Sequence, residues 1–180
     1  MDTIDIILKR KSVRCYKDEQ ICNEDLEKII ASGNNAPNAG PFHISVIQNK
    51  DLLQKISDLA LEGMKKSGSE FLMSRAALPG YAPIYGAPTL LILSSPKGDG
   101  AGDINTSCAA ANMTIAATAL GLGSCYVVTP GLAFNLDNSL YSEAGIPDGY
   151  DIRCSVILGY CAGDEFATEK APKSNVNYVK

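Results

Sequence analysis

The chain has 180 residues, is 46% hydrophobic and carries a formal charge of −4 at pH 7. This length and apolar content predict a single domain, residues 1–180, around one core. The acidic balance argues against a general nucleic-acid or anionic-membrane binder, because both need a net basic face. The six cysteines show no CxxC spacing, the N-terminus lacks an apolar leader, and no apolar run could span a bilayer. We therefore expect a reduced, cytoplasmic protein.

The first part of the chain predicts two helices, a strand and a third helix. Thr3 is a candidate cap for a short first helix, and a second helix is expected to begin at Asn23 and end at Gly33. The segment 42–48 alternates like a strand, and 49–66 returns to helical spacing.

Residues 67–88 fit neither a clean helix nor a clean strand, because they are rich in Gly and Pro. The segment also contains Phe71, Tyr81 and Tyr85. These aromatic residues are either ordinary packing in a long loop or the wall of a small-molecule pocket. We expect a ligand or a second subunit to meet the chain here.

The second half predicts three buried strands, at 89–95, 124–130 and 153–160. A long Ala-rich helix spans 103–123, and a short helix lies near 135–144. The alanines would let another backbone approach closely, as in a central or interface helix. Strands interspersed with helices give an α+β or α/β domain of three layers.

Side chains typical of direct catalysis are scarce. His43 is the single histidine and has no neighbouring Ser or Cys pattern that would support a triad. The chain lacks HExxH, GxGxxG and GxxxxGK[ST], so neither a metal site nor a common nucleotide loop is predicted. What remains is a site that binds an anion and relies on a cofactor for the chemistry.

Residues 8–17, "LKRKSVRCYK", hold five cations. Arg10, Ser12 and Arg14 stand at alternate positions, so in an extended segment they point to one side and offer donors to an anion. A solvated basic face is the alternative interpretation of such a run.

The run is one of several motifs that resemble the nitroreductase-like family of flavin oxidoreductases. They occur in the family's order across nearly the whole chain, and this order makes the resemblance specific. The matching stretches are "KRKSVRCY" at 9–16, "SGNNAPNAG" at 32–40, "GAPTLLIL" at 86–93, "AAANMTIAATALGLGSCYV" at 109–127, and "SVILGYCAGD" at 155–164 followed by "APKSNV" at 171–176.

The resemblance implies an α+β, nitroreductase-like three-layer sandwich with a central, mostly antiparallel sheet and a C-terminal tail that wraps the partner subunit. It further implies an obligate homodimer that binds FMN at its interface. Such a protein uses NAD(P)H to reduce nitroaromatics, quinones or similar acceptors in alternating half-reactions.

The resemblance also implies roles for individual residues. Arg10 and Ser12 would bind the FMN phosphate and ribityl chain, and Arg14 would stabilise the reduced ring. Residues 37–40 would come from the other subunit, and the backbone at 130–131 would face the ring. The implied cofactor-binding set is Arg10, Lys11, Ser12, Arg14, Pro37, Asn38, Ala39, Gly40, Pro130, Gly131 and Lys173; the substrate set is Phe71, Tyr81 and Tyr85, with neither a catalytic side chain nor a metal ligand.

Two positions depart from the family pattern. After "APNA" the chain continues directly into "GPFHI", so the family's following Asn and Gln contacts are not supplied. Lys173 stands where an Arg is common, which keeps the charge but loses the bidentate fork. The shortened loop motivates an alternative, a flavin-binding or redox-sensing module without efficient turnover. Flavin-fragmenting or dehalogenating chemistry is a third possibility on this fold.

Overall fold

The computed structural model describes residues 2–163 and 175–180. Lys173 and most of the predicted wrapping tail therefore lie outside the described residues. Residues 175–180 are exposed, and their contact with a partner stays a prediction. The elements are α1 (Thr3–Lys9), α2 (Asn23–Asn34), β1 (His43–Ile47), α3 (Lys50–Lys65), α4 (Glu70–Ala76), β2 (Thr89–Pro96), α5 (Gly102–Ala119), β3 (Gly123–Val127), α6 (Gly131–Leu136), α7 (Ser139–Glu143) and β4 (Tyr150–Gly159).

The four strands form one sheet in the order β1-β2-β4-β3, and every neighbouring pair is antiparallel. The central strand β2 is buried on both faces, and residues 90–93 within it form a continuous apolar run. Leu90 and Ile92 point into one core and Leu91 and Leu93 into the other. This arrangement confirms the predicted α+β sandwich with an antiparallel central sheet.

Helices cover each face of the sheet. On one face Ile56 of α3 and Phe134 of α6 are almost fully buried in the first core. On the other face Ile29 of α2 and Met113 of α5 are buried in the second. The long helices α3 and α5 thus fix the two outer layers.

The Ala-rich helix α5 makes its close contact inside the chain. Ala109, Ala110 and Ala117 are fully buried. A Cβ added to Gly33 of α2 would lie 2.2 Å from Met113 Cε and 2.9 Å from Met113 Cγ, so a larger residue there would have to displace the buried Met113 side chain. The small residues therefore serve the packing of α2 on α5, and this face of the helix is not available to a second subunit.

Several predicted boundaries were wrong. Asp2, not Thr3, caps α1: Asp5 N–H donates to Asp2 Oδ1 at 2.8 Å and Asp2 N–H to Asp5 Oδ2 at 3.3 Å. Gly33 lies inside α2, which continues to Asn34. The strand predicted at 124–130 ends at Val127 because the chain turns there into α6, and the helix predicted near 135–144 is two short helices.

Residues 67–88 contain a helix, α4, that the composition had hidden. Ser69 caps it by accepting a hydrogen bond from Leu72 N–H at 3.4 Å. Most of the Gly and Pro residues lie after it, where Gly80 and Gly86 adopt positive φ; Gly68 precedes it and also has a positive φ. Among the residues that the structure describes, no helix combines the length and apolar character needed to cross a membrane.

Candidate functional site

The segment that follows α1 is bound to the sheet by its backbone. Val13 N–H donates to Ser124 O at 2.9 Å, and Lys17 N–H donates to Tyr160 O at 2.9 Å. Val13 is fully buried, and a Cβ on Gly123 would lie 2.9 Å from Val13 Cγ1. This close packing holds the residues on either side of Val13 in the sequence in place beside β3.

Arg10, Ser12 and Arg14 gather around Cys125 of β3; we call these three residues the cation cluster. Burial raises the pKa of the Cys125 thiol, and the nearby Arg14, Ser12 and Arg10 act in the opposite direction. Arg14 Nη1 donates to Ser12 O at 3.3 Å. Lys11 lies half-buried within the same segment. The structure thus brings together the N-terminal part of the predicted cofactor set.

A pocket of about 220 Å³ lies beside the edge strand β3, next to the cation cluster. We call it the ring pocket. It contains Arg14 and all three predicted substrate residues, and none of the described residues that line it carries a carboxylate. The lining residues are Arg14, Met64, Phe71, Leu72, Arg75, Tyr81, Tyr85, Cys125, Tyr126, Val127, Val128 and Thr129.

Two tyrosines and two arginines form the wall of the ring pocket. The Tyr81 and Tyr85 rings meet edge to face at 5.6 Å between centroids. Arg14 Cζ lies 5.9 Å from the Tyr85 centroid and Arg75 Cζ 5.5 Å from that of Tyr81. Arg75 Nη2 also donates to Tyr85 Oη at 3.3 Å. Burial, followed by the hydrogen bond to Tyr85, raises the pKa of Tyr81 to about 12, so its hydroxyl is neutral at physiological pH.

Tyr85 adopts φ +53°, an uncommon conformation for a residue with a Cβ. Its hydroxyl contact with Arg75 and its ring contact with Tyr81 hold it there. Arg75 was not predicted as a site residue. The cap-and-helix pattern "SEFLMSRA" at 69–76 could have placed it on a helix near the two tyrosines.

The loop at residues 37–40 lies elsewhere in the chain. Ala39 N–H donates to Asn105 Oδ1 at 2.8 Å in the first turn of α5. None of the residues 37–40 lines the ring pocket, which lies beside β3 next to the cation cluster. In one chain the two parts of the predicted cofactor set therefore do not line a common pocket.

Polar atoms around this loop lack partners among the described residues. Asn105 is 1% exposed, and neither its Nδ2 nor Asp99 Oδ2 has a hydrogen-bond partner there. A Cβ on Gly40 would lie 3.5 Å from Asn105 Nδ2 and 3.6 Å from Asp99 Oδ2. Pro37, Asn38 and Ala39 are exposed. Asn105 thus positions the loop, a role that its place in an Ala-rich helix did not reveal.

Pro130 and Gly131 follow directly after Thr129 of the ring pocket and begin α6. Gly131 N–H donates to Val128 O at 3.2 Å, and Pro130 has no N–H. The Gly131 N–H was expected to face the ring, but in this structure it makes a hydrogen bond within the turn. Lys173 lies outside the described residues, so the structure does not place it.

Comparison with known proteins gives consistent matches. The model of the Nitroreductase family matches residues 7–160. A nitroreductase with bound FMN from Bacteroides fragilis NCTC 9343 is 28% identical over 100% of both chains, with a TM-score of 0.88. A nitroreductase with bound FMN from Desulfitobacterium hafniense DCB-2 is 26% identical over 100% of both chains, with a TM-score of 0.87. A relative from Archaeoglobus fulgidus, provisionally named NADH dehydrogenase/NAD(P)H nitroreductase, is 28% identical over 88% of this chain and 85% of its own length.

Proposed function

The chain belongs to the Nitroreductase family, and we propose that it is an FMN-dependent oxidoreductase that uses NAD(P)H to reduce nitroaromatics, quinones or similar small acceptors. The observation that carries this proposal is the ring pocket with the cation cluster at its border. The cofactor is FMN, which the similar nitroreductases from B. fragilis and D. hafniense contain.

The donor set fits FMN. Arg10 and Ser12 offer a guanidinium and a hydroxyl, a combination suited to one phosphate. The ring pocket offers aromatic and apolar walls, and Arg14 and Arg75 add positive charge to a lining without carboxylates. Arg14 would stabilise negative charge on a reduced ring. The residues present therefore suit a flavin with a single phosphate rather than a dinucleotide.

FMN supplies the redox chemistry: NAD(P)H loses two electrons as hydride, and a quinone gains two electrons and two protons, one of them from solvent. The chain binds and orients both partners. Neither partner needs a side-chain acid in the ring pocket, and Tyr81 is neutral there at physiological pH. Phe71, Tyr81 and Tyr85 would contact the acceptor as an aromatic wall.

We further propose that the working unit is an obligate homodimer. At about 220 Å³ the ring pocket of one chain is smaller than the ~300–1,000 Å³ usual for a cofactor-sized ligand. The loop at 37–40 lies beside Asn105 and Asp99 atoms that have no partner among the described residues, and it does not line this pocket in its own chain. A second copy could supply its loop to the first copy's pocket.

Exposed apolar side chains indicate where the two copies would meet. Helix α1 buries none of its residues, and Ile4 and Leu8 are 63% and 70% exposed. The neighbouring α5 exposes 67% of Ile104. Tyr126 of β3 is also exposed, and its hydroxyl lies 3.4 Å from that of Ser107 on α5. We call Ile4, Leu8, Ile104 and Tyr126 the apolar patch.

The absorption spectrum of the purified protein, followed by NAD(P)H oxidation with menadione or a nitroaromatic, tests the proposal. We expect flavin bands, release of FMN on heating, and NAD(P)H oxidation that depends on the acceptor. Bound FMN without turnover would favour the flavin-binding or redox-sensing module. Failure to bind FMN after reconstitution would contradict the proposed function itself.

A further inference from the structure

A second, larger cavity of about 440 Å³ lies between α3 and the segment at 80–88. We call it the tail pocket. Its apolar surface includes Leu53 and Leu61 of α3 and Ile84 and Pro88 of the segment. A volume of this size is within the ~300–1,000 Å³ range of small-molecule sites. Neither the resemblance nor the cofactor proposal assigns a ligand to it.

The tail pocket adjoins the ring pocket. Tyr81 lines both cavities. One face of α3 also runs from Lys50 and Leu61 in the tail pocket to Met64 in the ring pocket, a path of about 21 Å along the helix. The edge-to-face contact with Tyr85 and the Arg75 guanidinium hold Tyr81 from the ring-pocket side. The two cavities therefore meet at Tyr81, which contributes to the lining of both.

The polar groups of the tail pocket are already paired. Lys50, the single cation in its lining, donates to the two Asp18 carboxylate oxygens at 3.0 and 3.1 Å. Asp58 Oδ1 accepts from Gln54 Nε2 at 2.9 Å. The lining holds two carboxylates and one ammonium, which disfavours the phosphates of a nicotinamide dinucleotide. The remaining surface that a ligand could use is mainly apolar.

We propose that the tail pocket binds the uncharged alkyl substituent of a quinone whose ring occupies the flavin-bearing ring pocket. This inference rests on the proposed function, and it narrows the acceptor class to quinones with an apolar side chain. Burial of the alkyl substituent against Leu53, Leu61 and Ile84 supplies the affinity, because each methylene removed from water increases the binding constant about fourfold. The substituent would pass Tyr81, the residue that lines both cavities.

Calorimetric titration of the oxidised protein as purified, without NAD(P)H, tests the site directly. The probes are 2,3-dimethoxy-5-methyl-1,4-benzoquinone and its 6-pentyl derivative. We expect the pentyl compound to bind at least ~30-fold more tightly. The same ratio is expected in kcat/KM once NAD(P)H is added. Equal affinities of the two probes would overturn the proposal.

Two variants locate the effect. Leu61→Asp places a charge on the apolar surface nearest Met64, and we expect it to reduce the pentyl advantage to under ~3-fold while affinity for the shorter quinone is retained. Gln54→Trp narrows the exposed rim and should act in the same direction if Leu61→Asp does not fold. Val46→Asp, at an exposed position on β1 outside both pockets, is the matched control. An unchanged advantage in a folded Leu61→Asp or Gln54→Trp variant would overturn the proposal.

The titration separates this inference from the proposed function. If the wild type oxidises NAD(P)H with both quinones equally well, the function stands and the tail pocket proposal fails. If the protein binds no flavin yet prefers the pentyl compound, and Leu61→Asp removes that preference, the pocket binds alkyl chains but the proposed function fails.

Discussion

The cation cluster and the loop at 37–40 are held in opposite ways. The cluster lies in a segment whose backbone is bonded to β3 through Val13 and to the residues after β4 through Lys17, and Val13 is fully buried. The loop is exposed and is tied to α5 by the Ala39 bond to one side-chain oxygen, Asn105 Oδ1. A site that needs both would combine a rigid part from one chain with an adjustable part from another.

The largest effect is expected from Ile104→Asp in the apolar patch. Ile104 is 67% exposed in one chain, so the folded monomer should tolerate the change. Burying the new carboxylate in an interface costs several kcal/mol, so the dimer should dissociate. We expect light scattering to give the mass of one chain and flavin occupancy to fall by more than half.

Leu136→Asp is the matched control. Leu136 is 43% exposed on α6 and lies outside the apolar patch. The Leu136→Asp variant should have the same mass in solution and the same flavin content as the wild type. An Ile104→Asp monomer that retained its FMN would show that one chain forms the whole site. The proposal that a second chain supplies the loop at 37–40 would then be wrong. Charges at Ala116 or Ala117 are unsuitable probes, because Ala117 is fully buried within the chain's own core.

Arg10→Ala tests the rigid part of the site. Arg10 ends α1, where its N–H donates to Ile6 O at 3.0 Å, so the backbone should keep its place without the side chain. Losing a charge-assisted hydrogen bond to phosphate costs ~1.5–3 kcal/mol, or roughly ten- to a hundredfold in FMN affinity. Fluorescence titration of the flavin-free protein with FMN measures this loss.

Arg14→Ala should act on the ring instead. Arg14 lines the ring pocket and lies 5.9 Å from the Tyr85 centroid. Removing its charge should lower the reduction potential of bound FMN, because positive charge stabilises the reduced ring. Arg10→Ala should leave that potential near its original value. Equal losses of affinity with no change in potential would mean that the two arginines do not divide the phosphate and the ring between them.

The contrast between features set by a short stretch of sequence and features set by distant residues explains how much of the site the sequence could predict. The "KRKSVRCY" motif identified the cation cluster, and the alternating segment 42–48 together with the buried apolar runs identified the strands of the sandwich, because each of these patterns lies within a short stretch of the chain. The neighbours of the ring pocket that come from α4, Arg75 above all, depend on a helix hidden among Gly and Pro residues. Asn105 was assigned no role, since a polar residue within an Ala-rich helix does not indicate which loop its side chain binds.

The Ala-rich helix shows a limit of a different kind. Small residues predict that another backbone approaches closely, but they do not say which one. In this fold that backbone is α2, whose Gly33 packs on Met113. The interface prediction therefore moves to the exposed side of α5, where Ile104 lies.

Asn105→Ala tests the adjustable part of the site and should have a smaller effect than Arg10→Ala. It leaves Ala39 N–H to water, since this loop is exposed. The loss of one neutral hydrogen bond costs about 1 kcal/mol, so FMN affinity should fall roughly fivefold in an intact dimer. Asn112→Ala, which removes a bond from Nδ2 to Ser32 O elsewhere on α5, is the control. Equal FMN affinities of the two variants would argue that the loop does not contact the cofactor.

The smallest effect concerns a contact outside both regions. Lys55 of α3 lies 3.0 Å from Asp137 and 2.8 Å from Glu143 of α7. Hydrogen bonds from Ser139 and then Lys55 lower the pKa of Asp137 to about 2. Because the folded-state pKa lies below its usual value, the contact stabilises the fold fully above about pH 4 and is lost as the pH falls towards 2. Asp137→Asn should therefore lower the urea midpoint at pH 7, and the difference from wild type should vanish near pH 2.

Glu27→Gln, at an exposed position on α2 outside the Lys55 contact, is the matched control, and its urea midpoint at pH 7 should equal that of the wild type. Both variants should keep wild-type FMN affinity, because the Lys55 contact touches neither the cation cluster nor the loop at 37–40. A loss of FMN in Asp137→Asn would mean that the site responds to the packing of α3 as a whole. The cofactor would then depend on that layer as well as on the two regions compared above.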